Sequence, residues 1–399
     1  ALLSINMLNF KIYNDVMGYS EGDALLKAFA RILEREAPRP VLVARMLADA
    51  FLVLFPYKGK EELVTYCEAY SRALNGFIVS REQNYQLELR SGICCVEDSD
   101  ASDINSLLDR ANMALKTIKV KGAAQWKFYD HTMRDKLLRE KDLEIRMEKA
   151  LADGEFLVYI QPKYWVGTRA LAGGEALVRW KSPDQGFLSP GEFIPLFEKN
   201  RFIVKLDQFM FTSVCGLLRQ WLDAGIEPRP LSVNVSRMQF HTPDFVERYI
   251  RIKSQYAIPD GLLELEFTES IFFDNVALLS SAVHELRRAG IKCSIDDFGA
   301  GYSSLNVLKA LPVSVLKLDG MFFRTAKDDE QAKIVIRNIM RMAGELKMAT
   351  VAEGVETHEQ VAFLETTGCD IIQGYVFARP MPAVEFTELL AGEGGHAER

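Results

Sequence analysis

The fold is indicated most clearly by the stretch Ser294-Ile295-Asp296-Asp297-Phe298-Gly299. Two acidic residues directly follow a short apolar run and precede a glycine-rich turn. A β-rich run that ends in acidic residues is typical of a buried strand whose carboxyl end faces a functional site. Because solubility does not require adjacent carboxylates at this point, the stretch predicts both a strand and a site.

Similar runs recur from about residue 153 onward, and a helical stretch follows each run. They are Leu157–Ile160, Ala172–Val178, Leu231–Val235, Leu263–Phe267, Lys292–Ile295, Val313–Leu318, Ala349–Ala352 and Asp370–Ile372. Eight such runs predict an α/β fold with a C-terminal (β/α)8 TIM-like barrel. An open doubly wound sheet is the alternative, and it is disfavoured because no glycine-rich phosphate loop follows any run.

Polar side chains fall within or just after the carboxyl ends of these runs. In a (β/α)8 barrel the strand ends converge on one face, so residues that are distant in sequence meet there. The polar residues are Glu175, Asn234, Glu266, Asp296, Asp297, Lys317, Asp319, Glu353, Glu356 and Gln373. The sequence therefore predicts a single mouth that holds carboxylates, amides and a lysine.

A mouth with several carboxylates requires cations, because like charges at close range repel each other. Oxygen ligands without a cluster of Cys or His favour hard ions, Mg²⁺ or Mn²⁺, over zinc. Two such ions suit an in-line displacement at a phosphodiester. Any one of these acids taken alone is equally well explained as a helix N-cap or a surface charge, so the prediction depends on the whole set.

The composition is that of an ordinary globular protein, with 48% hydrophobic and 26% charged residues. The net charge of −7 disfavours a broad basic patch, so no nucleic-acid partner is expected.

The six cysteines form no CxxC pair, which indicates reduced core residues in a cytoplasmic protein. The chain begins at Ala1 and has no apolar run of the roughly 18 residues that a bilayer requires. We expect a cytoplasmic piece of a longer protein, whether or not that protein is anchored to a membrane.

Four segments are predicted along the chain. Residues 1–128 mix strand-like and helix-like stretches and predict one α+β domain. Residues 129–152 are rich in Lys, Arg and Glu, with apolar residues near helical spacing, which predicts a connecting helix. Residues 153–391 hold the predicted barrel, and residues 392–399 form a polar tail.

Residues 140–390 resemble the EAL phosphodiesterases of bacterial cyclic di-GMP signalling. The matching motifs occur in the family's order: Tyr159-Ile160-Gln161-Pro162, Glu175-Ala176-Leu177-Val178-Arg179-Trp180, Asn234-Val235-Ser236, Glu266-Phe267-Thr268-Glu269, Asp296-Asp297-Phe298-Gly299, Gly301-Tyr302-Ser303-Ser304-Leu305, Leu316-Lys317-Leu318-Asp319, Ala352-Glu353-Gly354-Val355-Glu356 and Gln373-Gly374-Tyr375. Any one motif is weak, but the ordered series is specific. One departure is Ala300, which stands where the family more often has Thr.

The resemblance implies hydrolysis of cyclic di-GMP to linear pGpG with two Mg²⁺ or Mn²⁺ ions, and a homodimer formed through this domain. It implies metal ligation by Glu175, Asn234, Glu266, Asp296, Asp297 and Asp319. It implies catalytic roles for Glu175, Lys317, Glu353 and Glu269, the last as an anchor of the loop from Phe298 to Leu305. Substrate contacts are implied for Gln161, Arg179, Glu356 and Gln373. Phe377 and Pro380 are expected either to pack on a guanine face or to belong to the core.

Residues 1–128 resemble a GGDEF cyclase domain, with lower specificity. The matches are Asn9-Phe10-Lys11, Asn14-Asp15, Gly18, Gly22-Asp23 and Lys119 to Gly122. The signature hairpin reads Leu47-Ala48-Asp49-Ala50-Phe51 where the family has Gly-Gly-Asp/Glu-Glu-Phe. Side chains at the first two positions obstruct the approach of a triphosphate to the backbone. We therefore expect a degenerate domain without cyclase activity.

Asn14 and Asp23 match the guanine-contacting positions of the GGDEF family. The resemblance implies that GTP binds there as a regulator, unless the two residues only cap local structure. Two alternatives to an active phosphodiesterase also remain. One is a receptor that binds cyclic di-GMP without cutting it, although such receptors usually lose metal ligands and none is lost here. The other is a structural dimerisation module, which the dense acidic cluster disfavours.

Overall fold

The computed structural model describes residues 1–38, 41–81, 87–98, 103–118, 125–268, 276–299, 312–325 and 329–394. The chain forms two compact units, Ala1–Asp142 and Leu143–Arg399. The boundary between them lies within the long helix His131–Ala152. Each unit is built around its own hydrophobic core.

The first unit contains one sheet and helices that pack against it. Its strands are β1 (Leu2–Met7), β2 (Leu42–Arg45), β3 (Ala50–Leu54), β4 (Leu89–Cys94) and β5 (Trp126–Phe128), and its helices include α1 (Phe10–Met17), α2 (Tyr19–Arg35), α3 (Lys60–Ser80) and α4 (Ile104–Lys116). The strand order is β2-β3-β1-β4-β5, in which the β4–β5 pair is parallel and the other pairs are antiparallel. The predicted α+β arrangement of this region is confirmed.

The second unit contains an eight-stranded barrel with short additional strands. Its strands are β6 (Phe156–Trp165), β7 (Leu171–Ser182), β8 (Gly186–Leu188), β9 (Leu231–Asn234), β10 (Leu263–Thr268), β11 (Ile291–Phe298), β12 (Val315–Leu318), β13 (Ala349–Ala352), β14 (Ile371–Ile372) and β15 (Met381–Pro382). The pairing order from β6 through β14, β13, β12, β11, β10 and β9 to β7 closes because β6 also pairs with β7. Each of the eight predicted runs contributes one barrel strand, so the predicted fold is confirmed.

Helices follow most of the barrel strands. The long helix that spans the two units is α5 (His131–Ala152), and it is followed by α6 (Pro190–Lys199), α7 (Ile203–Asp223), α8 (Phe245–Gln255), α9 (Val276–Arg288), α10 (Met321–Thr325), α11 (Glu330–Glu345), α12 (His358–Glu365) and α13 (Ala383–Gly394). A short 3₁₀ helix, Arg237–His241, follows β9. Among the described helices, none combines the length and the apolar composition that a bilayer crossing requires.

One strand departs from a regular (β/α)8 barrel. β6 runs antiparallel to both of its barrel neighbours, β7 and β14. The cause is the short connection between Trp165 and Leu171, because parallel neighbours require a crossover of a dozen or more residues whereas a tight turn joins antiparallel strands. The prediction of a helical stretch after every run is therefore wrong for the first run.

The alternation along β10 shows how the strands present polar groups to the barrel interior. Leu263, Leu265 and Phe267 are fully buried in the main hydrophobic core. Glu264 and Glu266 occupy the alternate positions, whose side chains point to the opposite face of the strand. Both faces of this strand are therefore buried, one among apolar side chains and the other among charged groups.

Gly92 on β4 lies where the backbone of α4 comes very close. A Cβ atom at this position would lie 1.9 Å from the carbonyl oxygen of Ala111 and 2.4 Å from the amide nitrogen of Leu115. Gly92→Ala is therefore expected to lower the free energy of unfolding by about 2 kcal/mol or more in urea denaturation. Gly76→Ala is the control, because nothing lies within 4 Å of its Cβ position in α3 and a gain of about 0.5–1 kcal/mol is expected. Equal stability of the two variants would contradict the close packing.

Candidate functional site

A buried lysine connects the acidic residues at the carboxyl ends of the barrel strands. The side chain of Lys317 on β12 is fully buried. Its Nζ lies 2.5 Å from Oε2 of Glu266, 2.6 Å from Oε1 of Glu353, 3.0 Å from Oδ1 of Asp296 and 3.5 Å from Oε2 of Glu175. Four carboxylates from β7, β10, β11 and the end of β13 thus share one ammonium group, so the predicted convergence at one mouth is present.

Two amide side chains fix the carboxylate of Glu175. Asn234 Nδ2 donates a hydrogen bond of 2.6 Å to Oε1, and Gln373 Nε2 donates one of 2.6 Å to Oε2. Gln373 Nε2 also lies 3.1 Å from Oε1 of Gln161. Both oxygens of Glu175 are therefore held in place by side chains from β9 and from the residue after β14, which limits the rotation of the carboxylate.

A local irregularity in β11 brings two consecutive acids to the same mouth. Asp296 and Asp297 would point to opposite faces of a regular strand. The pairing of β11 with β12 shifts register between Ile295 and Phe298, and Asp297 adopts a positive φ of 54°. Such an irregularity re-aims a side chain. As a result, Asp296, Asp297 and Glu353 each offer a carboxylate oxygen, and these atoms lie within 4.8 Å of one another.

The pKa shifts follow from burial and from the crowding of like charges. Burial and the neighbouring Asp296 and Asp319 raise the pKa of Asp297 to about 6. Burial likewise raises the pKa of Glu353, although the Lys317 ammonium opposes the shift. Glu266 differs, because two lysines outweigh the effect of burial and lower its pKa to about 2. The mouth therefore has more carboxylate groups than its lysines neutralise.

The residues of the mouth fit divalent cations. The donors of Glu175, Asn234, Glu266, Asp296, Asp297 and Glu353 are carboxylate and amide oxygens, which Mg²⁺ and Mn²⁺ prefer. Asp319 lies at the end of β12, where its Oδ1 accepts a hydrogen bond of 2.6 Å from the Met321 amide. The excess of negative charge at short range gives a physical reason for cations to bind here.

Lys163 belongs to the site but was missed in the sequence. It is 6% exposed on β6, and its Nζ lies 2.9 Å from Oε1 of Glu266 and 2.7 Å from Oγ of Ser232. Burial alone would lower the pKa of Lys163, but the Glu266 carboxylate reverses this and raises it, so the group stays charged. The position of Lys163 two residues after Gln161 could have revealed it. Residues two apart on a strand face the same side, and Gln161 is predicted to lie at the mouth.

A cavity of about 680 Å³ adjoins the mouth. Its lining includes Arg179, Asn234, Ser236, Arg237 and Asp297. The guanidinium carbon of Arg179 lies 5.6 Å from the ring centre of Tyr159. This cavity combines cationic side chains with apolar walls from β7, α6 and α7 and is large enough for a small ligand.

Some predicted substrate residues lie apart from this cavity. The Glu356 side chain is exposed, and its backbone amide donates to the side chain of Gln360 at the start of α12. Phe377 packs against the ring of Tyr164, with centroids 5.1 Å apart, and Pro380 is half-buried and not part of the cavity lining. These contacts favour the core-packing alternative for Phe377. Glu269 and residues 300–305 of the predicted loop lie outside the described residues.

The predicted nucleotide residues of the first unit are only partly buried. Oδ1 of Asn14 is buried and accepts no hydrogen bond from any described residue, and it lies against the backbone of Gly22. Asp23 is exposed. In the hairpin, Leu47 is 80% exposed and Ala48 adopts a φ of 50°, a conformation that suits glycine better than alanine.

Asp207 on α7 forms a titratable part of the cavity wall. It is 7% exposed, and its Oδ2 accepts hydrogen bonds from the Ser236 amide at 2.9 Å and from Gln239 Nε2 at 3.2 Å. Burial raises its pKa from 3.8 to about 7 despite these hydrogen bonds. The folded protein therefore binds this proton more tightly than the unfolded chain does.

Asp207→Asn is expected to change how stability depends on pH. In the wild type, this group makes the free energy of unfolding fall as pH rises from about 4 to about 7, by up to about 1.4 kcal/mol per pH unit. The amide oxygen retains an acceptor for both hydrogen bonds and carries no charge. The melting temperature of the variant relative to the wild type should therefore rise across this window. A constant difference between pH 4 and pH 8 would contradict this assignment.

Comparison with known proteins gives matches to both units. The family model described as EAL domain matches residues 145–380, and the model described as diguanylate cyclase, GGDEF domain matches residues 1–125. MucR of Pseudomonas aeruginosa, named a bifunctional diguanylate cyclase/cyclic di-GMP phosphodiesterase, is 30% identical over 98% of this chain and 57% of its own length. PdeR of Escherichia coli, named a cyclic di-GMP phosphodiesterase, is 30% identical over 97% of this chain and 58% of its own length. The chain spans about half the length of the curated relatives it matches.

Solved structures resemble the chain as well. The PaMucR phosphodiesterase in its c-di-GMP complex is 35% identical, with a TM-score of 0.58, and the match covers 61% of this chain and 99% of that one. The EAL enzyme Bd1971, with cAMP and cyclic di-GMP bound, is 25% identical, with a TM-score of 0.60 and coverage of 86% and 82%. Since the EAL model matches more than half of the residues, the chain belongs to the EAL domain family and carries a GGDEF domain before its EAL domain.

Proposed function

We propose that the second unit hydrolyses cyclic di-GMP to linear pGpG with two Mg²⁺ or Mn²⁺ ions bound at the barrel mouth. The observation that carries this proposal is the contact of Lys317 Nζ with the carboxylates of Glu175, Glu266, Asp296 and Glu353. Relatives named cyclic di-GMP phosphodiesterases, including PdeR and NbdA, support the choice of substrate.

The ligands we assign to the metal ions are the oxygen donors of the mouth: Glu175, Asn234, Glu266, Asp296, Asp297 and Asp319. The bound ions would supply Lewis-acid stabilisation of the phosphoryl oxygens and a nucleophilic water at neutral pH. Asn234 and Gln373 orient the carboxylate of Glu175 by donating to its two oxygens. This arrangement leaves the protein little reorganisation to make when the reaction begins.

We assign proton handling to Lys317 and Glu353. Their Nζ and Oε1 atoms lie 2.6 Å apart, within hydrogen-bond reach. Burial raises the pKa of Glu353, which makes its carboxylate a stronger base and suits a group that takes up a proton from the attacking water. Lys317 keeps its charge in this environment and orients the water while offsetting the charge that develops at the phosphate.

We assign the adjoining cavity to the substrate. Arg179 and Arg237 give it a positive side that suits phosphate, and its apolar walls suit a guanine ring. Gln161 and Gln373, which are hydrogen-bonded to each other, are not part of the cavity lining, and their substrate contacts are assigned by resemblance. Glu269 and Glu356 remain assigned to the site by resemblance alone, and for Pro380 packing on a guanine face and core packing both remain open.

The alternative function is a receptor that binds cyclic di-GMP without cutting it. It is disfavoured because each ligand position of the family's pattern holds an oxygen-donor residue in this sequence. Incubation of the purified protein with cyclic di-GMP and Mn²⁺ separates the two functions. Appearance of pGpG supports the phosphodiesterase, and tight binding without product after long incubation supports the receptor.

We further propose that the GGDEF domain makes no cyclic di-GMP and regulates the phosphodiesterase, with GTP bound at Asn14 and Asp23. Oδ1 of Asn14 accepts no hydrogen bond from the residues that the structure describes, which supports a ligand there, since buried acceptors normally find a donor. A cytoplasmic location and a homodimer formed through the EAL domain complete the proposal.

Glu175→Ala tests the assignment of Glu175 on β7 as a metal ligand. Loss of a ligand held by two amides is expected to lower kcat by two or more orders of magnitude, roughly 3 kcal/mol or more of transition-state stabilisation. The fold should persist, as judged by an unchanged circular dichroism spectrum. Glu388→Ala on the exposed side of α13 is the matched control and should keep the wild-type rate. A wild-type rate for Glu175→Ala would show that the reaction does not require Glu175.

Asn14→Ala tests the nucleotide assignment in the first unit. Titration calorimetry with GTP is expected to give a measurable dissociation constant for the wild type and at least about tenfold weaker binding for the variant, because the variant lacks the buried acceptor and leaves a donor group of the nucleotide unpaired. Lys11→Ala, an exposed change on the same helix, should bind GTP as the wild type does. Absence of GTP binding to the wild-type protein would remove the regulatory part of the proposal.

A further inference from the structure

The barrel interior holds a second buried cation that the proposed reaction does not use. Lys163 lies beneath the mouth, where its Nζ contacts Oε1 of Glu266 at 2.9 Å and Oγ of Ser232 at 2.7 Å. Lys317 contacts the other oxygen of Glu266, Oε2, at 2.5 Å. Glu266, which is 1% exposed, is therefore held between two lysines, each bound to a different oxygen.

Alternating charges continue further into the barrel. Glu264 lies two residues before Glu266 on the same face of β10, and it is 8% exposed. Its Oε1 is buried and accepts no hydrogen bond within the described part of the chain. We use the name interior charge column for Glu264, Lys163, Glu266 and Lys317, which alternate in sign along the barrel.

We propose that Lys163 is a built-in counter-cation that limits how tightly the mouth binds divalent ions while stabilising the metal-free barrel. This inference rests on the proposed metal-dependent function and adds a residue that sets its metal affinity. Lys163 is a positioning residue, because it acts through Glu266 and not through the substrate.

The physical reason is the strength of charge interactions away from water. A unit charge roughly 10 Å from a divalent ion, at an effective dielectric constant of about 20, changes the affinity for that ion by more than tenfold. A fixed ammonium beneath Glu266 therefore opposes metal binding. The same ammonium favours folding without metal, since removing one partner of a buried ion pair leaves an uncompensated charge.

Lys163→Met tests the inference, because methionine has a similar length and no charge. Lys253→Met is the matched control: Lys253 is also a buried lysine of the second unit, paired with Asp260 and the Ala289 carbonyl. Lys163→Gln separates charge from orientation, since its amide still donates to Glu266. Each protein is melted in EDTA and then titrated with Mn²⁺ alone, with the melting temperature and heat of binding as readouts.

The expected result is a lower melting temperature in EDTA and an Mn²⁺ dissociation constant at least about tenfold smaller for both Lys163 variants. Lys253→Met should lose stability without a change in Mn²⁺ affinity. Unchanged or weaker Mn²⁺ binding in the Lys163 variants would overturn the inference. So would variants that stay unfolded in saturating Mn²⁺ while Lys253→Met folds, because Lys163 would then be only a structural ion-pair partner.

Parallel assays with cyclic di-GMP keep the two proposals distinct. A wild-type protein that binds Mn²⁺ but yields no pGpG contradicts the proposed function and leaves the role of Lys163 standing. A wild-type protein that yields pGpG, together with Lys163 variants of unchanged Mn²⁺ affinity, contradicts only the inference about Lys163.

Discussion

The second unit depends on the burial of one ammonium group among carboxylates that come from different strands. Lys317 is fully buried, and an unpaired charge there would be very costly. Glu175, Glu266, Asp296 and Glu353 satisfy it, and the ammonium in turn offsets part of the cost of burying their charges. The ion pairs that stabilise these charges inside the barrel therefore also hold together the groups that we assign to metal binding and proton transfer.

The antiparallel strand β6 adds to this arrangement. Because a short turn joins β6 to β7, β6 runs in the opposite direction, and it places Gln161 opposite Glu175 in the strand register. Lys163 follows two residues later on the same face and reaches Glu266. The departure from a regular barrel therefore supplies an amide and a cation that support the acids of the parallel strands.

The sequence predicted the parts of the site that follow from periodicity and from barrel topology. Strand ends converge in any such barrel, so Glu175, Asn234, Glu266, Asp296 and Lys317 were expected together, and they lie together. The irregularity at Asp297 was not predicted, because it depends on backbone hydrogen bonding that no residue pattern reveals. The direction of β6 was not predicted either, because the first run was expected to be followed by a helix like the others, although the short connection to β7 makes the pair antiparallel. Lys163 was missed because an isolated lysine in a strand resembles a solvent-exposed charge, whereas a partner distant in sequence determines its burial.

The most direct test of the account is the location of bound metal. Crystals of the protein soaked with Mn²⁺ allow the ions to be placed from anomalous scattering, independently of any assay. We expect anomalous peaks at the barrel mouth, within bonding distance of oxygens from Glu175, Asn234, Glu266, Asp296 and Asp319. Peaks only at other surfaces, or a mouth without any peak in saturating Mn²⁺, would contradict the proposed site.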